Sequence, residues 1–246
     1  MYEPRTYRAW TQWAGLVSFR VVVKETDLAV RACRDLQAEA RTATAACRAE
    51  LEAYIARHPQ FLTALEPLDV ADDAPPLVCE MASAARLAGV GPMAAVAGGI
   101  AESVGRVLAS ISPDVIVGNG GDIWLRLTRP GLVGVYAGRS PLTGRIAFEV
   151  WPEDTPLGVC TSSGSVGHSL SFGRADAAVV FAPSAALADA VATAMGNRVR
   201  APADIDGALD WAKRIPGVAG LVVILGERLG LWGDVRIAPA NPPEAC

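Results

Sequence analysis

The chain reads as a protein of both strands and helices. Three observations predict this class. Alternating and apolar runs recur near the beginning, in the middle and at the end, where they read as strands in antiparallel pairs. Two alanine-rich stretches carry helical spacing. Glycine, proline and asparagine breaks separate the runs, as in Asp72-Asp73-Ala74-Pro75-Pro76. A length of 246 residues admits one large domain or two intimate lobes. The expectation is one domain over residues 1–246, built of two such lobes.

In order, Tyr7 to Val30 predicts two antiparallel strands turning near Lys24–Thr26. Arg31 to Ala56 predicts a long amphipathic helix with Cys33 and Cys47 as small core residues. Pro59 and the stretch from Asp69 to Pro76 read as loop, with Asp72 and Asp73 a solvated approach to the next helix. That helix spans Pro76 to Ala88 and stops at Gly89. Small residues from Gly89 to Gly99 lead into a helix reaching about Ser110. Such a segment leaves room for a ligand against the backbone, or else packs helix on helix through small residues. It lacks a G-x-G-x-x-G fingerprint and a Walker lysine.

Asp114 to Val117 reads as a buried strand entering the turn Gly118-Asn119-Gly120-Gly121-Asp122, since Asn-Gly is a strong hairpin signal. Strands are expected at Trp124–Thr128, Leu132–Ala137 and Ile146–Trp151. The stretch from Cys160 to Asn197 organises the rest: a small-residue turn from Thr161 to Ser169, a buried strand from Ala177 to Ala182, and an alanine-rich helix opened by Pro183-Ser184. Strand, turn and helix in that order can present backbone N–H groups to an anion. Asp189 and Thr193, four apart, share a helix face and can offer oxygen to a hard cation, or they decorate an exposed surface. A helix follows near Ile205–Arg214. The strand pair from Gly220 to Ile237 echoes Gly131 to Glu149, suggesting related hairpins, one per lobe.

Composition narrows the chemistry. A net charge of -4 without clustered Lys/Arg argues against nucleic acid as a partner. The uncharged run from Leu87 to Ala101 is interrupted by glycine and too short to span a bilayer, and Met1 to Thr6 is polar, so neither membrane nor secretion is expected and the chain reads as cytoplasmic. An odd set of 5 cysteines without a CxxC pair, beside 2 histidines, disfavours a disulfide framework or a zinc centre. Gly164-Ser165-Val166-Gly167 lacks the spacing of a nucleophile elbow, which disfavours Ser or Cys160 as a nucleophile with His168 as base. Magnesium with phosphate fits better, because Mg²⁺ takes one or two carboxylates plus substrate oxygens while glycine-rich backbone cradles phosphate. An Ala-rich surface with little charge is compatible with a homodimer.

Four segments, in order, resemble the ApbE-like superfamily of FAD:protein FMN transferases. Ala95-Val96-Ala97-Gly98-Gly99 is similar to that family's A-I-A-K-G, and Asn119-Gly120-Gly121-Asp122-Ile123 matches its N-x-G-G-D-I. Thr161-Ser162-Ser163-Gly164 with His168 resembles its T-S-G…H-I-I-D-P, and the run from Ala188 to Ala194 is close to its A-D-A-L-S-T-A. The likeness is greater to a branch of the superfamily found in methanogens and other one-carbon organisms. The resemblance implies a two-lobed α+β fold with mixed or antiparallel sheets flanked by helices and a flavin-nucleotide cleft between the lobes. It implies Mg²⁺ at Asp189, Thr193 and the carbonyl of Ala97, and catalytic roles for Asp189 and His168. FAD or FMN would lie against Gly91, Ala97, Gly98, Asn119, Gly120, Gly121, Asp122, Thr161, Ser162, Ser163 and Gly164, with a protein acceptor for the FMN. Gly98 stands where the family has lysine, and Ser169-Leu170-Ser171-Phe172-Gly173 replaces D-P-x-T-G. The expected function is therefore binding of a flavin nucleotide or related heteroaromatic ligand, with Mg-dependent phosphate transfer or hydrolysis. The alternatives are an enzyme of pterin- or methanopterin-type cofactor biosynthesis, and a ligand-binding protein without catalysis.

Overall fold

The computed structural model describes residues 15–164 and 171–240. An eight-stranded sheet with strand order β1-β2-β3-β4-β7-β8-β9-β10 forms the frame, and β5, β6 and β11 form a second sheet of three. The strands are β1 (Val17–Val23), β2 (Thr26–Ala32), β3 (Val115–Asn119), β4 (Asp122–Arg126), β5 (Gly131–Gly134), β6 (Ile146–Val150), β7 (Leu157–Ser162), β8 (Ala177–Ala182), β9 (Gly220–Leu225), β10 (Arg228–Gly233) and β11 (Arg236–Pro239). Every strand pair among the described residues is antiparallel. The helices are α1 (Gln37–Arg57), α2 (Gln60–Thr63), α3 (Pro76–Ala88), α4 (Val96–Ala109), α5 (Ala185–Arg198) and α6 (Ile205–Ala212).

Strand alternation divides the interior between two faces of the large sheet. Leu28, Val117, Trp124, Cys160, Val180 and Leu221 join the helices in the larger core. Ile116, Leu125, Val159, Val179 and Val222 point the other way, into a second core shared with Val133 and Phe148 of the small sheet. The echoing hairpins occupy different sheets, β5–β6 in the small one and β9–β10 in the large one.

Small residues bring the helical layer close to the sheet and to itself. A Cβ at Gly105 of α4 would lie 2.1 Å from Trp124 of β4, and one at Gly158 of β7 would lie 2.4 Å from the Ala185 Cα of α5. At these two positions only glycine permits the approach. The alanines of α5 are interior: Ala185, Ala186, Ala188, Ala190, Ala192 and Ala194 are all fully buried. The expectation of an Ala-rich exposed surface is corrected for this helix, because α5 is covered by α3, α4, β7 and β8. No single helix among the described residues is long and apolar enough to cross a membrane.

Several expectations shift. The first long helix begins at Gln37 and not at Arg31, because β2 continues to Ala32 in register with β1. Cys33 therefore lies between strand and helix and is exposed, while Cys47 is half-buried against the core. Asp72 and Asp73 are exposed, as expected of a solvated approach, and α3 ends at Gly89 in the left-handed region with φ 68°. The strand β7 was not legible as a strand: the residues from Thr161 onward read as a turn, yet Thr161 and Ser162 pair with Val179 and Ala178 of β8.

Candidate functional site

The site grows from one row of the large sheet. Asn119 of β3 faces Asp122 of β4, and Asp122 faces Cys160 of β7. Register partners project to the same face, and this face carries Val117 and Trp124 into the helical core. The Asn119–Asp122 hairpin closes through Gly120, at φ 68°, and Gly121. Gly120 needs that left-handed conformation and its Cβ position is open, whereas a Cβ on Gly121 would come within 3.0 Å of the Thr161 carbonyl. The two-residue turn thus holds Asn119 and Asp122 beside the end of β7.

Helices supply the other half. The Asp189 Oδ2 atom accepts a hydrogen bond of 2.9 Å from the Gly98 amide, in the first turn of α4, and the Ala97 amide also donates toward this carboxylate. Asn119 Nδ2 donates to the Ala97 carbonyl at 3.2 Å, which ties the β3–β4 turn to the same end of α4. Asp189 is 8% exposed, so the reading of this residue as surface decoration is overturned; Thr193, one turn further along α5, is half-buried.

Electrostatics at this row are dominated by two carboxylates. Burial pushes the Asp122 carboxyl up to about 7, against hydrogen bonds from the Thr161 amide and the Cys160 thiol. Burial, and then the Asp122 charge, push Asp189 well above the carboxylate range, against the two amides of α4. Among the described residues no basic side chain pairs with either acid. Two acids sharing a buried site either hold a proton between them or hold a cation. Cys160 is fully buried beside them, with its Sγ 3.3 Å from the Ala185 carbonyl. Burial and the two neighbouring carboxylates raise the thiol far above its usual range, which agrees with the reading that disfavours Cys160 as a nucleophile.

Other expected site residues separate into groups. Gly91 and Gly98 are packing residues: Cβ atoms there would come within 1.8 Å of the Ala64 carbonyl oxygen and 2.2 Å of the Ala185 carbonyl oxygen. Their spaces are filled by protein, as is that of Gly99, so these glycines serve close packing, and a lysine at position 98 would have no room. Thr161, Ser162 and Ser163 are half-buried at the end of β7, and Gly164 is exposed, its amide donating to the Ala175 carbonyl at 2.9 Å. His168 lies outside the described residues.

The start of α5 is not an anion site. The Glu102 carboxylate of α4, 2% exposed, accepts from the Ala185 amide at 2.8 Å and from the Ser184 hydroxyl at 3.1 Å. A carboxylate of the chain itself therefore occupies the positive end of the helix. Sequence reasoning missed Glu102, and the only signal was an acid on the apolar helix it sits in. Asp122 was expected only to touch a cofactor; its pairing with Asp189 depends on the sheet-to-helix contact.

Similar proteins fall on the same architecture. A family model described as AbpE bacteria matches residues 8–236. A UPF0280 protein of Methanocella arvoryzae is 49% identical over 187 residues, covering 76% of this chain and 76% of that protein. The UPF0280 protein MJ1526 of Methanocaldococcus jannaschii is 42% identical over 222 residues, covering 88% of this chain and 90% of its own. Among solved structures, the Pseudomonas stutzeri flavinyl transferase ApbE in apo form superposes with a TM-score of 0.55 at 14% identity, over 90% of this chain and 94% of that one. The Vibrio cholerae flavin transferase ApbE gives 0.57 at 12% identity, over 92% and 97%. At such identity these two structures establish the fold. With the family model matched across almost its whole length, the chain belongs to the ApbE-like family described as AbpE bacteria.

Proposed function

We propose that this chain binds a flavin nucleotide, FAD or FMN, beside a Mg²⁺ ion in a cleft between two lobes of one domain, and acts at the nucleotide's phosphate. The observation that carries the reading is the pair of neighbouring acids, half-buried Asp122 and buried Asp189, without a basic partner among the described residues. Hard oxygen donors with a carbonyl nearby suit Mg²⁺, which keeps several coordination positions for water and phosphate. Asp189, Thr193 and the Ala97 carbonyl would hold the ion, and Asp122 would face it across the hairpin. Asp122, Asp189 and Cys160 do not by themselves make a three-ligand cluster, in keeping with a site completed by backbone and phosphate oxygens. Bound there, Mg²⁺ would neutralise pyrophosphate charge and stabilise the charge that develops at phosphorus.

The chain's own residues divide the remaining work. Asn119 fixes the Ala97 carbonyl through its 3.2 Å hydrogen bond, and the Gly98 amide holds one oxygen of Asp189 in place. Gly120, Gly121, Thr161, Ser162 and Ser163 are the backbone and hydroxyl groups nearest the acid row, and they would bind the phosphates. His168 is proposed as the group that handles a proton at the leaving or attacking oxygen. The similarity to proteins named flavin transferases supports flavin as the ligand; a protein acceptor for the FMN belongs to the same proposal. The filled space at Gly98 favours hydrolysis or transfer without a lysine at that position.

Incubation of the purified chain with FAD and Mg²⁺, with and without EDTA, followed by chromatography for FMN and AMP, tests the reading. AMP release that requires Mg²⁺ and disappears in Asp189→Ala is the expected result. Intact FAD, with no metal-dependent binding of it, would overturn the flavin reading in favour of a pterin-type ligand.

A further inference from the structure

Helices α4 and α5 cap each other. Asp189 of α5 accepts from the Gly98 amide at the start of α4, and Glu102 of α4 accepts from the Ala185 amide at the start of α5. Gly98 and Glu102 are four apart, as are Ala185 and Asp189, so each helix presents its amide and its acid on one face. The order runs oppositely along the two helices: 98 meets 189, and 102 meets 185. This crossing is close enough that a Cβ on Gly98 would overlap both the Ala185 carbonyl oxygen, at 2.2 Å, and the Asp189 Cβ, at 2.9 Å.

Glu102 is fully engaged in this arrangement. One of its oxygens takes the Ala185 amide at 2.8 Å, the Ser184 hydroxyl at 3.1 Å and a longer contact from the Ala186 amide at 3.4 Å. Its other oxygen takes the Arg106 guanidinium at 2.5 Å, and Arg106 also bonds Glu80. The acid thus has a charged anchor on its own helix and three donors on the next. A charged acceptor at a helix start is stronger than a neutral one, so it sets where α5 begins relative to α4. That placement in turn sets where Asp189 falls, one helical turn along.

We propose that Glu102 is the positioning residue for Asp189: by clamping the start of α5 to α4, it keeps the Asp189 carboxylate on the Gly98 and Ala97 amides at the start of α4. The consequence for metal binding rests on the reading of Asp189 as a Mg²⁺ ligand given above.

Glu102→Gln keeps size and one acceptor while removing the charge. Two readouts are taken on the full chain: native-state hydrogen exchange by NMR at the Gly98, Ala185 and Leu108 amides, and titration with Mn²⁺ followed by its paramagnetic signal. The Leu108 amide, inside α4, corrects for any general loss of stability. Loss of a charged hydrogen bond predicts Gly98 exchange about tenfold faster relative to Leu108, with Mn²⁺ affinity about tenfold weaker. Faster exchange at Ala185 alone, with Gly98 and Mn²⁺ affinity unchanged, would overturn the proposal and reduce Glu102 to a local cap. If the wild-type chain takes up no Mn²⁺ while Glu102→Gln still frees the Gly98 amide, the positioning role stands and the metal reading falls instead. Should Glu102→Gln not fold, Ser184→Ala removes one of the three donors and is read the same way: Gly98 exchange must quicken relative to Leu108, or the proposal is wrong.

Discussion

Replacing Gly98 by alanine probes the contact on which both the fold and the candidate site depend. The new Cβ would stand 2.2 Å from the Ala185 carbonyl oxygen and 2.9 Å from the Asp189 Cβ. Non-bonded heavy atoms are comfortable near 3.5 Å, so α4 and α5 must separate here by about 1 Å. The blocking atom is backbone, so no side chain can swing away. Opening the crossing stretches the 2.9 Å bond from the Gly98 amide to Asp189 beyond hydrogen-bond range. Overpacking costs on the order of 1–3 kcal/mol, and alanine returns about 1 kcal/mol of helix propensity. Losing the amide from a buried carboxylate adds roughly 1.5–3 kcal/mol. The net of about 1.5–5 kcal/mol corresponds to a fall in Tm of roughly 3–20 °C for a chain of this size. Calorimetry of wild type and Gly98→Ala without metal measures that fall, and Mn²⁺ titration of the same samples measures the site. A variant as stable as wild type, with undiminished Mn²⁺ affinity, would refute the argument that this crossing sets the position of Asp189.

Further outcomes concern acidity, thiols and packing. Asp122 and Asp189 bind their protons more tightly folded than unfolded, so in EDTA the Asp122 contribution to stability falls as pH rises from about 4 toward 7 and levels off above that, and Asp189 adds a fall of the same sign. Melting curves from pH 5 to 8.5 should show this decline flattened in Asp122→Asn; an unchanged slope would mean that Asp122 is not held near pH 7. Because Mg²⁺ displaces those protons, its stabilising effect should grow across the same range, as melts at fixed Mg²⁺ would show. Cys160, buried with its thiol raised, should resist a thiol reagent at pH 8 in the native protein while exposed Cys33 reacts, as peptide mapping of the labelled chain would report. Gly105→Ala would drive a Cβ to 2.1 Å from the Trp124 ring, and should lower Tm by several degrees and shift the tryptophan emission.

Much of the architecture was legible in the chain because it follows local rules. The hairpin at Lys24-Glu25, the stop at Gly89, the Asn-Gly turn of β3–β4 and the Ser184 start of α5 each depend on a few neighbouring residues. The resemblance in residues 95–99, 119–123, 161–164 and 188–194 also pointed to the ApbE-like fold, which the family match bears out. Periodicity failed at β7, where Thr161 and Ser162 look like turn chemistry but pair with β8 because Val179 and Ala178 lie alongside. It failed again at Cys33, where strand pairing extended past the expected helix start.

The sequence by itself determined most element types, their order and the small residues that allow close approach. What the small residues approach was a tertiary matter. Spacing can place Asp189 and Thr193 on one face of a helix, yet it cannot say that this face meets the Asn119–Asp122 turn, some seventy residues earlier in the chain. Nor can it say whether Gly98 leaves room for a ligand or for another helix, since both uses demand the missing Cβ. Only the folded chain brings half-buried Asp122 beside buried Asp189, where loss of water raises both acids. The physical reason is that desolvation and charge–charge repulsion depend on distance and burial, and neither is a property of position along the chain.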